Sequence, residues 1–340
     1  MDPITQGVLG ASAAATHKPQ KERMATLFKA CVIGALAGMA PDLDILIRSS
    51  SDPLLKLEFH RHFSHSLFFI PVGALLCALL FHWAFAKRWQ LPFKLTFIWS
   101  LFGFATHALL DGCTSYGTML LWPLSNDRLA WDFIAVIDPA YTLPALLLIT
   151  IAAFKNQRRF AVAALIWMAL YLALGFWQHH KALNALQAHA RSQHHPVERI
   201  KAMPTLGNLL LWRGIYESDG HYYINAVRVG LFSSVQIYAG DTVPVLNLER
   251  DLPEINPNSI QGNDIARFSW FSDNFVALDP ENSQRIIDVR YSMLPTTAKP
   301  LWSIEVDASL QNQQHVEYFM AHDRNGEVWS EFWGMLMGRP

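Results

Sequence analysis

The chain has 340 residues, 51% of them hydrophobic and only 16% charged, with a formal net charge of −1. A soluble chain carries about 25% charged residues, and a near-neutral balance without a basic, aromatic-interleaved stripe gives no reason to expect nucleic acid as a partner. The three cysteines, Cys31, Cys77 and Cys113, have no paired spacing, so neither a disulfide framework nor a thiolate zinc motif is indicated.

Met1-Asp2-Pro3 lacks the basic n-region of a secretory signal. Apolar segments follow near 27–47, 66–86, 93–112, 139–154 and 160–178, with a weaker one from Ile4 to Ala15. A full span needs about 20 apolar residues, which 66–86 and 160–178 supply. The stretches 4–15 and 30–41 are shorter and read as tilted, partly inserted or shielded by neighbours. Gly34, Ala35, Ala37, Gly38 and Ala40 leave room for close helix packing. Every second loop is basic: Lys18, Lys21, Arg23 and Lys29, then Lys87, Arg88 and Lys94, then Lys155, Arg158 and Arg159. The positive-inside rule puts these in the cytoplasm, so loops 48–65 and 113–138 and everything after residue 178 are expected outside, although Arg48, Lys56 and Arg61 run against the bias. Trp99, Trp122, Trp131, Tyr141 and Trp177 are expected to form an interfacial belt.

Residues 179–199 read as a polar helical extension rich in histidine. Beyond them, apolar residues alternate with polar ones over 235–239, 287–291 and 302–308, the period of half-buried strands. Asn325-Gly326 predicts a hairpin turn between Val316–Met320 and Val328–Phe332. The expected fold is an all-α membrane-embedded helical bundle of about five to six apolar helices followed by a small β-rich soluble domain. Its parts are 1–180, a polar helical linker 181–199, and 200–340.

Three polar clusters interrupt the apolar half. Pro41-Asp42-Leu43-Asp44 closes one segment, His60-Arg61-His62-Phe63-Ser64-His65-Ser66 opens the next, and His107 and Asp111 close a third. Helices of alternating direction bring these ends to one membrane face. His107 and Asp111, four apart, share a helix face. An unpaired carboxylate in such apolar surroundings is costly, and His and Asp are suitable ligands for divalent zinc and similar metals. Taken singly, each cluster has a plainer reading: a helix end, solvated loop histidines, a hydrogen-bonded core pair. Together they point to a metal site. Asp132 and Asp138 are further candidates from the outer loop, although Asp138 before Pro139 also suits a turn. Ser64 and Ser66 lack a Gly-x-Ser-x-Gly elbow, which argues against a serine hydrolase.

At these residues the sequence resembles the YdjM-like family of membrane-bound, predicted metal-dependent hydrolases. The resemblance covers roughly residues 1–178 and rests on the Pro-Asp-x-Asp helix end, the His-Arg-x-x-Ser-His-Ser motif and His107-x-x-x-Asp111, with Thr114–Thr118 and Asp138-Pro139 in support. It implies a distant similarity to zinc-dependent phospholipase C enzymes, with Asp42, His60 or His65, His107 and Asp111 as ligands. Where many members have Thr-His near the N-terminus this chain has Thr5-Gln6, so a cluster member is missing unless Gln6 or His17 serves.

The expected function is a membrane-bound hydrolase using a divalent metal, zinc or manganese, on a phosphoester or lipid-related substrate. Asp42, His60, His65, His107 and Asp111 are the expected ligands, Asp44 the proton acceptor for the attacking water, and Arg61 a clamp for a substrate oxygen or an anchor at lipid headgroups. The alternative is a non-catalytic membrane protein with a structural metal and a partner-binding β domain. The expected location is the inner membrane, multi-pass, with the C-terminal domain periplasmic or otherwise extracytoplasmic. Membrane lipid and a small or lipid substrate are the expected partners.

Overall fold

Asp2 starts the first helix: its side chain accepts from the Thr5 amide at 3.0 Å, and Pro3 occupies the first helical position, where its missing N–H costs nothing. The computed structural model describes residues 1–17, 26–231, 234–321 and 326–339. Lys18, Lys21, Arg23 and Asn325, used in the charge and turn readings above, lie outside the described residues. The helices are α1 (Pro3–Ala15), α2 (Leu27–Met39), α3 (Leu55–Phe59), α4 (Ile70–Phe81), α5 (Phe93–Gly112), α6 (Pro139–Lys155), α7 (Arg158–Ser192), α8 (Leu248–Asp251), α9 (Ile260–Phe271) and α10 (Gly326–Leu336). The strands are β1 (Arg199–Pro204), β2 (Leu211–Ser218), β3 (His221–Arg228), β4 (Gln236–Pro244), β5 (Val276–Asp279), β6 (Asn282–Asp288), β7 (Trp302–Glu305) and β8 (Glu317–Met320).

The chain divides into two compact units, Met1–Leu46 with Phe59–Phe176, and Ile47–Glu58 with Trp177–Pro340. Segment 47–58, expected to belong with the apolar half, thus groups with the second unit.

In the first unit, Leu67–Ala86 and Phe93–Gly112 are long and apolar enough to cross a membrane, as is α7, of which residues up to Phe176 belong to this unit, and α6 is a shorter apolar helix. Leu80, Leu147, Phe154, Ile166 and Leu170 are more than half exposed on these elements. So much outward apolar surface suits lipid rather than water. The expected helix 27–47 is shorter than its apolar run. It ends at Met39, ahead of Pro41, and residues 40–46 form a tighter 3-10 turn. Glycines let α1, α2 and α5 touch backbone to backbone. A Cβ on Gly34 would sit 2.4 Å from the Gly10 carbonyl oxygen, and one on Gly103 would sit 2.3 Å from that of Gly34, so only glycine fits. Trp99 and Tyr141 are fully buried rather than interfacial. Trp99 donates to the His17 carbonyl at 2.9 Å, which removes the reason for a polar end to seek the headgroups.

The second unit has two four-stranded antiparallel sheets, β1-β2-β3-β4 and β5-β6-β7-β8. Strands β2 and β3 turn at Asp219-Gly220, both with positive φ, the conformation a two-residue hairpin demands. Met203, Ile215, Tyr222 and Ile224 of the first sheet share a core with Phe275, Ala277, Ile287 and Val289 of the second. The C-terminal turns of α7 lay Ala182, Leu186 and Ala190 against Trp212, Tyr216 and Val227. Arg267 of α9 clasps the 47–58 segment: its guanidinium meets Asp52 at 2.8 Å, Glu58 at 2.6 Å and Asp264 at 2.7 Å, and His315 stands 2.9 Å from Asp264. Burial works against the Asp52 charge, but Arg267 outweighs it and holds that carboxyl below its ordinary value.

Residues 235–239, 287–291 and 302–308 contribute to β4, β6 and β7, although β7 stops at Glu305, and Asp307 instead caps a 3-10 turn at Ala308–Leu310. Val328–Phe332 was expected as a strand and is part of α10. Phe332, Met335 and Leu336 are buried on one face, a helical spacing that the short window 328–332 does not reveal.

Candidate metal centre

The glycine contacts between α1, α2 and α5 set the site. They bring the C-terminal end of α2 beside that of α5, so that Nδ1 of His107 meets the Gly38 carbonyl at 2.5 Å. That bond fixes the ring and leaves Nε2 free to ligate. On the other side Gln6 of α1 donates to Asp111 Oδ1 at 2.7 Å and to the His107 carbonyl at 3.3 Å. The turn at Phe63–His65 supplies His65, whose Nδ1 lies 3.0 Å from Ser64 Oγ and 3.2 Å from Asp44.

Four donor atoms then converge. Nε2 of His65 is 3.5 Å from Asp42 Oδ1 and 3.3 Å from Asp111 Oδ2; Nε2 of His107 is 3.4 Å and 3.6 Å from the same two oxygens. The two imidazole nitrogens are 2.8 Å apart. A tetrahedral zinc with ligand bonds near 2.0–2.1 Å needs ligand–ligand edges of roughly 3.3–3.5 Å. The four His–Asp edges lie within about 0.1 Å of that range, and the His–His edge would have to open. His65, His107 and Asp111 are fully buried, and Asp111 Oδ2 faces both imidazoles while also meeting the Arg61 guanidinium. Burial opposes charge on His65, yet Asp111, Asp42 and Asp44 more than reverse this and raise its pKa to about 10. The cluster therefore attracts positive charge at this point.

A second group overlaps the first. Asp42, Asp44 and His60 also have donor atoms within 4.8 Å of one another, with His60 Nδ1 2.8 Å from Asp44 Oδ1. Asp42 is common to both groups. Side chains of Asp42 and His60 are about one-fifth exposed, which makes this side the open one.

Arg61, in the left-handed region at φ 64°, is turned inwards and almost fully buried. Its Nε lies 2.9 Å from Asp111 Oδ2, and Nη1 donates to Thr114 Oγ1 at 2.7 Å and to the Asp111 carbonyl at 3.4 Å. The guanidinium also lies over Tyr116. The amino group of Met1 rests against Asp111 Oδ1. Asp44 accepts from the Arg61 amide at 2.9 Å and from Ser64 Oγ at 2.8 Å, besides facing His60 and His65.

Every residue expected at the site from the three motifs is thus in or against it. Gln6 joins through Asp111, whereas the His17 ring packs on Phe102 and belongs to neither group. His62 stacks near Trp122, and Ser66 is used on the Trp122 carbonyl. Asp138 caps α6, accepting from Ala140 and Tyr141 and from the Tyr171 hydroxyl; Asp132, although buried, is in neither group. The Gly38 carbonyl and the Thr114 hydroxyl were not foreseen as contributors. A carbonyl has no sequence signal, and Thr114 stood in a supporting motif without an assigned role.

A family model described as "YdjM inner membrane protein" matches residues 1–182. The inner membrane protein YbcI of Escherichia coli (strain K12) is 31% identical over 119 residues, which are 33% of this chain and 66% of that protein. YfhP of Bacillus subtilis (strain 168) is 26% identical over 142 residues, 41% of this chain and 42% of that protein, so the match spans less than half of YfhP. No solved structure matches. The matched span contains both overlapping groups of His and Asp, two of the candidate membrane-crossing helices and most of the third, and the chain belongs to the YdjM inner membrane protein family.

Proposed function

We propose that the first unit is a membrane-embedded, metal-dependent hydrolase acting on a phosphoester or lipid-related substrate at the outer face of the inner membrane. The observation that carries the reading is the set of four His–Asp distances, 3.3–3.6 Å, among Asp42, His65, His107 and Asp111. Nitrogen and oxygen donors without thiolate suit zinc, and manganese as well. A divalent cation held there supplies Lewis acidity and brings the pKa of water down towards about 7.

The chain's own groups do the positioning. Gly38 and Asp44 orient the rings of His107 and His65, as carboxylates and carbonyls do behind metal-ligating histidines. Asp44 already accepts from Ser64 and Arg61 and faces two histidines. That loading suits it to holding His60 and His65 better than to taking a proton. Arg61 balances Asp111 instead of reaching outwards, and the exposed edges of Asp42 and His60 mark the side a substrate would approach.

A non-catalytic reading has one observation in its favour: four protein donors close a tetrahedron, the hallmark of structural zinc. The partly exposed edges of Asp42 and His60 support the hydrolytic reading, because they leave an approach for water and substrate. Elemental analysis of the purified protein, followed by a screen over chromogenic phosphoesters and phospholipids, separates them. Metal-dependent turnover supports the hydrolase; stoichiometric metal without turnover supports the structural site; no stoichiometric metal after zinc or manganese loading overturns both. The proposed periplasmic orientation of the C-terminal domain is supported by the basic loops Lys87–Lys94 and Lys155–Arg159, which the positive-inside rule favours on the cytoplasmic side.

A further inference from the structure

The apolar part of α7 runs directly into the second unit at Trp177. One turn on, Gln178 donates to the carbonyls of Leu209 at 3.2 Å and Val229 at 2.8 Å, and Lys181 to that of Gly230 at 3.1 Å. These bonds pin two loops of the second unit, those before β2 and after β3, beside Trp177. The C-terminal end of α10 is tied to the same edge, since Arg228 donates to the Leu336 carbonyl at 2.8 Å and Tyr238 to that of Met335 at 3.4 Å.

Each of the converging segments presents large apolar side chains that the unit does not cover. Trp177, Leu206, Leu231, Trp333 and Met337 are between 42% and 62% exposed. Their covered neighbours Phe332, Met335 and Leu336 already fill the core side of α10, so Trp333 and Met337 form a separate outward face. Lys181 lies over the Trp177 ring and Arg339 is exposed at the end of α10. At the opposite end of β2 and β3 the hairpin reads Ser218-Asp219-Gly220-His221, polar throughout. Tryptophan and long apolar side chains rimmed by Lys and Arg are the composition of surfaces that lie in the headgroup region of a bilayer.

We propose that this end of the second unit rests on the lipid bilayer that α7 enters, with Trp333 and Met337 of α10 and Leu231 as interfacial anchors. The occupant is lipid because the face is continuous with the exit point of an apolar helix and carries cations at its rim. The domain is thereby held flat against the membrane by its C-terminal helix as well as by α7.

The test uses the full chain in vesicles of phosphatidylethanolamine and phosphatidylglycerol. The three native cysteines are buried, so a single added cysteine takes an environment-sensitive fluorophore. Met337→Cys and Leu231→Cys report on the proposed face, and Asp219→Cys on the far hairpin. The labels at 337 and 231 should emit blue-shifted light and lose intensity when the vesicles contain nitroxide-labelled lipid, while the label at 219 responds only to aqueous iodide. Adding Trp333→Ser and Met337→Ser to the Leu231→Cys chain should reduce the lipid quenching at 231. Labels at 337 and 231 that iodide reaches as freely as it reaches 219 would overturn the proposal. So would labels shielded from iodide but untouched by nitroxide lipid, which would mean that protein, such as a second copy of the chain, covers this face.

Discussion

Replacing Asp111 by Asn keeps the shape of the side chain and removes the charge that faces His65 and His107. The carboxylate oxygen that meets Nε2 of both rings at 3.3 and 3.6 Å also meets Arg61 at 2.9 Å. Two effects follow, and they separate in a titration. Without metal, Asp111→Asn leaves a buried arginine short of its partner, which costs about 3–5 kcal/mol. With metal, the unmodified protein gains about 2.7 kcal/mol at a hundredfold excess of zinc over its Kd, or roughly 5–10 °C in Tm for a unit of this size. Asp111→Asn should show no such zinc-dependent rise. Asp42→Asn should lose it too, but with a smaller drop of its own, because Asp42 is partly exposed and has no ion pair with Arg61. His82→Asn, in the turn after α4, should retain the full rise. The assay is thermal unfolding in detergent against zinc concentration, with bound metal counted per chain. If the unmodified protein and Asp111→Asn respond to zinc alike, the cluster is a buried ion-pair network and the metal reading is wrong.

Further outcomes are expected. Gly103→Val places a side chain against the Gly34 carbonyl and should part α2 from α5; overpacking of this kind costs about 1–3 kcal/mol, read as a lower Tm together with weaker zinc binding as Gly38 moves from His107. The Asp52–Arg267 contact should weaken in acid: a carboxyl held below its ordinary value adds stability above its unfolded pKa of about 3.9, and that stability is lost as pH falls through the depressed folded value. Hydrogen-exchange protection across 47–58 should therefore fall below about pH 4, and Asp52→Asn should already show the low protection at neutral pH. A reporter active only outside the cytoplasm should work when fused after Pro340 and fail at Gln90; the reverse would move the site to the cytoplasmic side.

The residues of the candidate site were legible in the sequence because metal-type residues are rare inside apolar runs. His107 and Asp111, the Asp42 and Asp44 pair and the His60–Ser66 motif stood out for that reason, and the fold gathers them at one place. The small residues around Gly34 announced the close packing that does the gathering. What hid was whatever depends on partners distant in sequence. Arg61 looked like a group for the substrate, because nothing in its neighbourhood shows that Asp111 and Thr114 will enclose it. Trp99 and Tyr141 looked interfacial, because a polar tip suggests the headgroups; for Trp99 the His17 carbonyl supplies a buried acceptor instead. In the second half, the alternation at 302–308 and 235–239 found real strands, while Val328–Phe332 was too short a window to separate period 2 from period 3.6.

The clasp of Arg267 on Asp52 and Glu58 bears on how this protein is cut and recombined. A fragment starting anywhere after α7 carries Arg267 without two of its three carboxylates, and also lacks the helix turns that cover Trp212 and Tyr216. Such a fragment tests a damaged module. Exchanging the C-terminal half between relatives meets the same obstacle, because an incoming domain would have to recognise a foreign 47–58 segment. The transferable piece is a tail together with its loop: residues 177–340 must travel with 47–58. That loop begins three residues after Asp44 and ends two before His60, so a chimera that respects the clasp is stitched almost at the candidate site itself.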